Sequence, residues 1–257
     1  QIDLTLQRCV SRQRPLMTAP ETGFQRLQAS RSLVLVDAGP PPPPGYDDKA
    51  HAGTLSFEFS VGRERLIVNC GAQTRRPDWY GVQRTTAAHS TLTLAETNSS
   101  ELAPDRGFGQ RIAAVTCRRS EQEGALLLEM SHDGYQARFG ATHHRCLYLS
   151  AGGDDLRGED RIDFAEAPPQ NLPFAIRFHL HPSVRASQVQ GSDDVLLRSA
   201  KGSGWRLRSA GAEVTLDGSV YLGEPGQLRR GQQIILRGET RARETLVKWA
   251  LQKEGGR

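Results

Sequence analysis

The chain has 257 residues, enough to bury a large core within one domain. Its 26 Gly and 14 Pro are spread among short apolar runs, which disfavours long helices, and no run is long enough to span a bilayer as a helix. The 33 Lys and Arg are interspersed with 29 Asp and Glu for a net +4, so no block of like charge marks a nucleic-acid-binding tail.

In chain order, Ile2, Leu4 and Leu6 alternate with polar residues, and Ile2 to Val10 reads as a strand. Arg12 to Thr22 is a polar connection, and Leu27 with Leu33 to Val36 gives a strand pair. The proline run at 40–45 is a stiff, extended loop, because proline fixes φ and has no N–H to donate. Leu55, Phe57, Phe59 and Val61 then alternate with Thr54, Ser56, Glu58 and Ser60, the period of a half-buried strand. Leu66 to Cys70 forms the next strand, and a polar loop containing Trp79 and Tyr80 follows. His89, Thr91 and Thr93 share one face of a further strand. Where these strands neighbour one another, His51, Asn69 and His89 converge, and two imidazoles with an amide oxygen could hold one divalent metal, zinc or calcium.

Further on, strands are expected at 111–118, 125–131, 136–139 and 145–150, with HDGY (His132 to Tyr135) as a turn leading into a strand. Phe174, Ile176, Phe178 and Leu180 face one side of the next strand, opposite Arg177, His179 and His181. Short strands continue to Glu244–Leu251, about a dozen altogether, in the spacing of a β-sandwich. The predicted fold is therefore all-β, a large antiparallel multi-strand sandwich in a single domain over 1–257. Cys9, Cys70, Cys117 and Cys146 are widely spaced with no CxxC, which excludes a zinc ribbon or redox motif. The last three read as small buried residues. No P-loop, GxGxxG, HExxH or Ser-His-Asp order occurs.

His51, the FEF strand at 57–59, His89, HDGY, HHR and FAIRFHLHP together resemble the C-terminal β-sheet domain of the heparinase II/III-like polysaccharide lyases, over most of residues 24–250. In that family a His-x-His pair precedes the FEF-like strand and an Asp closes the following one. Here Lys49 stands at the first, catalytic His, and Asn69 stands at the metal-binding Asp. The resemblance implies a super-sandwich fold and β-elimination on a uronate-containing anionic polysaccharide. That reaction needs a neutralised carboxylate, a base for the C5 proton and an acid for the leaving oxygen. It makes Tyr80 the candidate acid or base and Arg84 its carboxylate-neutralising partner, against a simpler reading in which Trp79 and Tyr80 anchor the loop.

His132 and Tyr135 are candidate sugar contacts, since aromatic rings stack on pyranose faces; the alternative is a turn cap with a buried Tyr. The resemblance further implies a missing N-terminal α-helical toroid that completes the cleft, a periplasmic or envelope location, and little activity for this chain alone. A non-catalytic carbohydrate-binding module and a structural envelope domain are the competing expectations.

Overall fold

The computed structural model describes residues 15–73, 77–103 and 107–255; the expected strand Ile2–Val10 and Cys9 lie outside them. Two eight-stranded antiparallel sheets form the described fold. The first runs β1 (Phe24–Ala29), β2 (Ser32–Asp37), β3 (Phe57–Val61), β4 (Glu64–Val68), β10 (Pro173–Leu180), β15 (Arg229–Glu239) and β14 (Glu213–Tyr221), and β5 (Leu92–Leu94) also pairs with β10. The second runs β11 (Arg185–Gln188), β12 (Val195–Arg198), β13 (Gly204–Ala210), β16 (Glu244–Lys253), β9 (Asp155–Phe164), β8 (Ala141–Leu149), β7 (Ala125–Tyr135) and β6 (Val115–Gln122). The expected all-β sandwich is thus the observed one.

The two-residue period explains how the layers meet. Val34 and Val36 of β2 are buried while Leu33 and Leu35, which alternate with them, are not, and Leu147 and Leu149 of β8 are buried in the same way. Aromatic rings tie the sheets together. Phe57 stacks on Trp249 with centroids 5.6 Å apart, Phe178 meets the same indole edge-on at 4.9 Å, and Phe59 meets Trp205 at 5.2 Å. Each such side chain, fully buried, contributes about 1.5–3 kcal/mol of transfer free energy.

Polar residues also occupy core-facing positions of the second sheet. His143 and Arg145 of β8 and Asp160 of β9 are all 1% exposed or less. A charge in that position must be paired and hydrogen-bonded, because desolvation otherwise costs several kcal/mol per ion. Asp160 accepts from His143 Nε2 at 2.8 Å, from Arg145 Nε at 2.7 Å and from Trp249 Nε1 at 3.1 Å. Arg145 crosses to the other layer, where its Nη1 donates to the carbonyls of Leu55 (2.8 Å) and Ser90 (2.9 Å). Burial by itself would raise the Asp160 pKa; Arg145 and His143 outweigh it and hold the carboxyl well below its usual range.

This network corrects one expected pair of site residues. His132 is 1% exposed: its Nδ1 accepts the Gly134 N–H at 3.1 Å, and its Nε2 donates to His143 at 3.2 Å. Tyr135 has no exposed surface and donates its phenol to Leu92 O at 2.8 Å. Both belong to the core and face no sugar. The HDGY turn is the bulged end of β7, and the expected strand at 136–139 is a helical turn, α1 (Gln136–Phe139), closed by Gly140 in the left-handed conformation. Leu55 likewise precedes its strand. It turns at φ 64°, and its carbonyl is the one that Arg145 binds. Of the three described cysteines Cys70 is buried, while Cys146 is intermediate and Cys117 exposed.

Removing Asp160 strands a buried guanidinium. Asp160→Ala is expected to destabilise the protein by about 3–5 kcal/mol, seen as a fall in Tm of roughly 10 °C in calorimetry. Burial also pushes the pKa of His132 and His143 below the ordinary histidine value, so both are neutral in the fold. The unfolded chain therefore takes up protons first as pH falls below about 6.5. Stability should be full above that pH and decline below it, and Tm measured from pH 7.5 to 5 should fall accordingly; a flat profile would contradict the buried neutral pair.

Candidate functional site

At one end of the first sheet, three segments close on one another: the loop after the prolines (residues 45–53), the stretch 77–88, and residues 107–111. Asp47 is buried and fastens the first to the third, its carboxylate accepting from the N–H of Gly45 (3.2 Å) and Phe108 (3.1 Å) and pairing with Arg111. Arg84 fastens the second to both others. It follows the helical turn Tyr80–Gln83 and donates to the carbonyls of Ala50 (2.7 Å), Gly107 (3.2 Å) and Asp47 (3.4 Å). The expected carboxylate partner is thus buried, with its N–H groups directed at backbone. Tyr80, 37% exposed, donates its phenol to Asp48 O at 2.5 Å. Lys49 is exposed in the loop at 45–53.

Two of the expected metal ligands meet here. His89 ends a 3-10 turn (Thr86–Ala88), and the expected strand starts only at Leu92. Its Nδ1 donates to Thr85 O at 2.8 Å, which leaves Nε2 to accept from His51 Nδ1 at 3.1 Å. Gly53 makes this approach possible, since a Cβ there would lie 2.7 Å from the His89 ring. Burial, then the cost of a second proton beside the His51 imidazole, pulls the pKa of His89 down to about 3; burial and Arg84 lower that of His51. His51 Nε2 is the ring nitrogen without a hydrogen-bond partner among the described residues.

Asn69 lies alongside, its Oδ1 accepting from Ser90 N–H at 2.8 Å. Does this set fit a divalent ion? Two imidazole nitrogens 3.1 Å apart match the separation of neighbouring ligands on one zinc. The third group, however, is a neutral carboxamide with its oxygen already accepting a hydrogen bond, and the Arg84 charge acts on His51. Among the described residues no cluster of three His, Cys, Asp or Glu side chains is placed to hold an ion. The donor set therefore does not fit a tightly held zinc or calcium.

Asp47, Phe108 and Arg111 escaped the sequence reading because they lie in loops without a periodic pattern and pair across more than 60 residues of chain. His179 is a further buried group here. Its Nε2 donates to Ala87 O at 2.9 Å, and its Nδ1 accepts from Ser219 Oγ at 2.8 Å. Its place opposite the core-facing Phe178 was the available signal.

Two large antiparallel sheets with this corner at one end define the chain as a large β-sandwich. It belongs to the heparinase II/III-like C-terminal family, whose model matches residues 11–250. FtsZ-localized protein C of Caulobacter vibrioides is 32% identical over 260 residues, 95% of this chain and 44% of that protein. A mutant heparan sulfate lyase from Pedobacter heparinus superposes with a TM-score of 0.74 at 13% identity, covering 100% of this chain and 39% of that one. A heparinase III structure gives 0.73 at 12% identity, covering 95% and 36%. At those identities the structural likeness shows the fold alone. The chain spans less than half the length of each of these proteins.

The ligand geometry predicts indifference to metal. Neither a chelator nor micromolar zinc or calcium should move the Tm by more than about 1 °C, because an ion that does not bind the folded state cannot stabilise it. A saturable rise with zinc, lost in His51→Ala, would overturn that expectation.

Proposed function

We propose that this chain is the β-sandwich part of a longer lyase-type protein that acts on a uronate-containing anionic polysaccharide by β-elimination. The observation that carries the reading is the surface placement of Tyr80, with its phenol proton held on Asp48 O, beside the separate loop that presents Lys49 and His51. In this scheme Lys49 pairs with the uronate carboxylate. His51, kept neutral by burial and by Arg84, accepts the C5 proton at Nε2, and Tyr80 protonates the leaving glycosidic oxygen. Arg84 acts as a positioning residue, since its donors hold the carbonyls at 47 and 50 that frame the loop. Tyr46, 83% exposed, gives the same loop an aromatic surface on which a sugar ring can stack. An α-helical toroid outside this chain would supply the opposite wall of the cleft, and a polysaccharide substrate would place the protein in the periplasm or envelope. Among the described residues no helix is long and apolar enough to cross a membrane.

A second reading, recognition without cleavage, is favoured by a specific observation. The relative that shares 32% identity over nearly the whole chain is known by its localisation with FtsZ, and Lys49 and Asn69 replace groups the lyase pattern uses. One set of assays separates the two. The full-length protein is incubated with heparan sulfate, hyaluronan, chondroitin sulfate and alginate, and unsaturated ends are followed by ultraviolet absorbance. The lyase reading expects product from at least one polymer and a loss of about 100-fold or more in kcat in Tyr80→Phe. Binding with no product, or co-sedimentation with FtsZ polymers and no polymer binding, would replace it with the second reading.

A further inference from the structure

Where β10 and β14 end and β15 begins, the first sheet carries a polar cluster that the elimination scheme does not use. Tyr221, the last residue of β14, pairs in register with Arg229, the first of β15, on the face opposite the core residues Ile234 and Leu236. Its ring meets the His181 imidazole edge-on at 5.1 Å, and its hydroxyl accepts from Nη1 of Arg65 on β4 at 2.7 Å. Four segments distant in the sequence thus bring a phenol, an imidazole and two guanidinium groups together.

The cluster holds more donors than acceptors. Tyr221 is 4% exposed, and its oxygen uses a lone pair on Arg65, so its own O–H proton has no acceptor among the described residues. A buried phenol ordinarily finds a partner. His181 Nδ1 accepts from the Ser183 N–H at 3.3 Å, and the Ser183 hydroxyl lies 2.7 Å from the same nitrogen. A backbone N–H can only donate, so the ring proton sits on Nε2, which also has no partner among the described residues. Burial, then Arg65 and Arg229, hold the His181 pKa below the ordinary histidine value, which keeps it in this neutral donor form. Arg65 spends one N–H on the phenol and forms no ion pair among the described residues. The neighbouring carboxylates are engaged elsewhere, Glu224 with Arg229 Nη1 (2.7 Å) and Glu58 with the Asn69 N–H (3.2 Å).

Donors that converge without an acceptor call for a ligand rich in acceptor oxygens, and a guanidinium free of any carboxylate adds a preference for negative charge. A carboxylate offers two oxygens in one plane. Here guanidinium, phenol and imidazole arrive from three separate segments, which suits the three terminal oxygens of a tetrahedral ester. We propose that Arg65, Tyr221 and His181 form a binding site for a sulfate or phosphate monoester group. Arg65 and the Tyr221 hydroxyl each donate to one of its oxygens, and His181 Nε2 donates to the third. Gly223 leaves the phenol end uncovered, because a Cβ there would collide with Tyr221 Oη. The site stands independently of the lyase reading. Sulfate and phosphate esters share this chemistry, and the two arms of the test distinguish them.

The test is calorimetric titration of the full chain with glucose 6-sulfate and, separately, with glucose 6-phosphate, in a low-salt buffer free of both anions. Saturable binding of either supports the site, and the tighter of the two names the ester. Arg65→Gln and Tyr221→Phe should each weaken it by about tenfold or more. Arg65 is exposed, so its variant tests the site even where loss of the Tyr221 hydroxyl lowers stability. Tyr80→Phe should leave binding unchanged, which keeps this result separate from the fate of the elimination scheme. No saturable binding of either ester overturns the proposal. So does equal binding of glucose or of glucuronate, or an Arg65→Gln variant that melts as the parent does and binds as tightly.

Discussion

The buried carboxylate of Asp160 is the constraint around which the two layers are assembled. It sits on the inner face of the second sheet and must be satisfied there, so His143, Arg145 and Trp249 converge on it. Arg145 then reaches the first sheet with its Nη1, which binds Leu55 O and Ser90 O. Those two carbonyls flank the entry to β3 and the residue after His89. A purely apolar interface would fix the separation of the sheets but leave their lateral register soft, since hydrophobic contact has no direction. A guanidinium bound to a carboxylate on one layer and to two carbonyls on the other is directional, and it sets where the His89 turn lies relative to the second sheet.

That placement bears on the corner at the sheet end. The loop at 45–53 carries the exposed candidates Lys49 and Tyr46, yet it is held by buried groups, Asp47 and Arg84, that spend their hydrogen bonds on backbone. Rigid support beneath an exposed loop is how a binding surface is kept in one geometry at little entropic cost. The same logic explains the imidazole pair. In a fold where two histidines and an acid would bind an ion, replacing the acid with Asn69 removes the charge that makes binding favourable. The histidines bond to each other and to Thr85 O, and only His51 Nε2 is left without a partner among the described residues.

The stretch 77–88 serves two sides of the molecule. Tyr80 and Arg84 face the loop at 45–53, while Trp79, Val82 and Ala87 line a cavity against β14 and β15. A short run of helical turns can do this because its side chains point around a full circle, whereas a strand would offer only two opposite faces.

The all-β class, the sandwich spacing and most inward-facing apolar residues were legible in the sequence, because alternation with period two is a local pattern that each strand carries by itself. The meeting of His51 with His89 was legible too, since both flank strands whose neighbours could be inferred. Tertiary structure alone decided that His132 and Tyr135 are interior, because HDGY looks the same whether its strand end faces solvent or a second sheet. It alone gave Arg84 to the backbone carbonyls, and it alone joined Asp160 to Leu55 across the layers. Those outcomes depend on which groups arrive opposite one another from distant parts of the chain, and the burial that makes a charge expensive exists only once both sheets are in place.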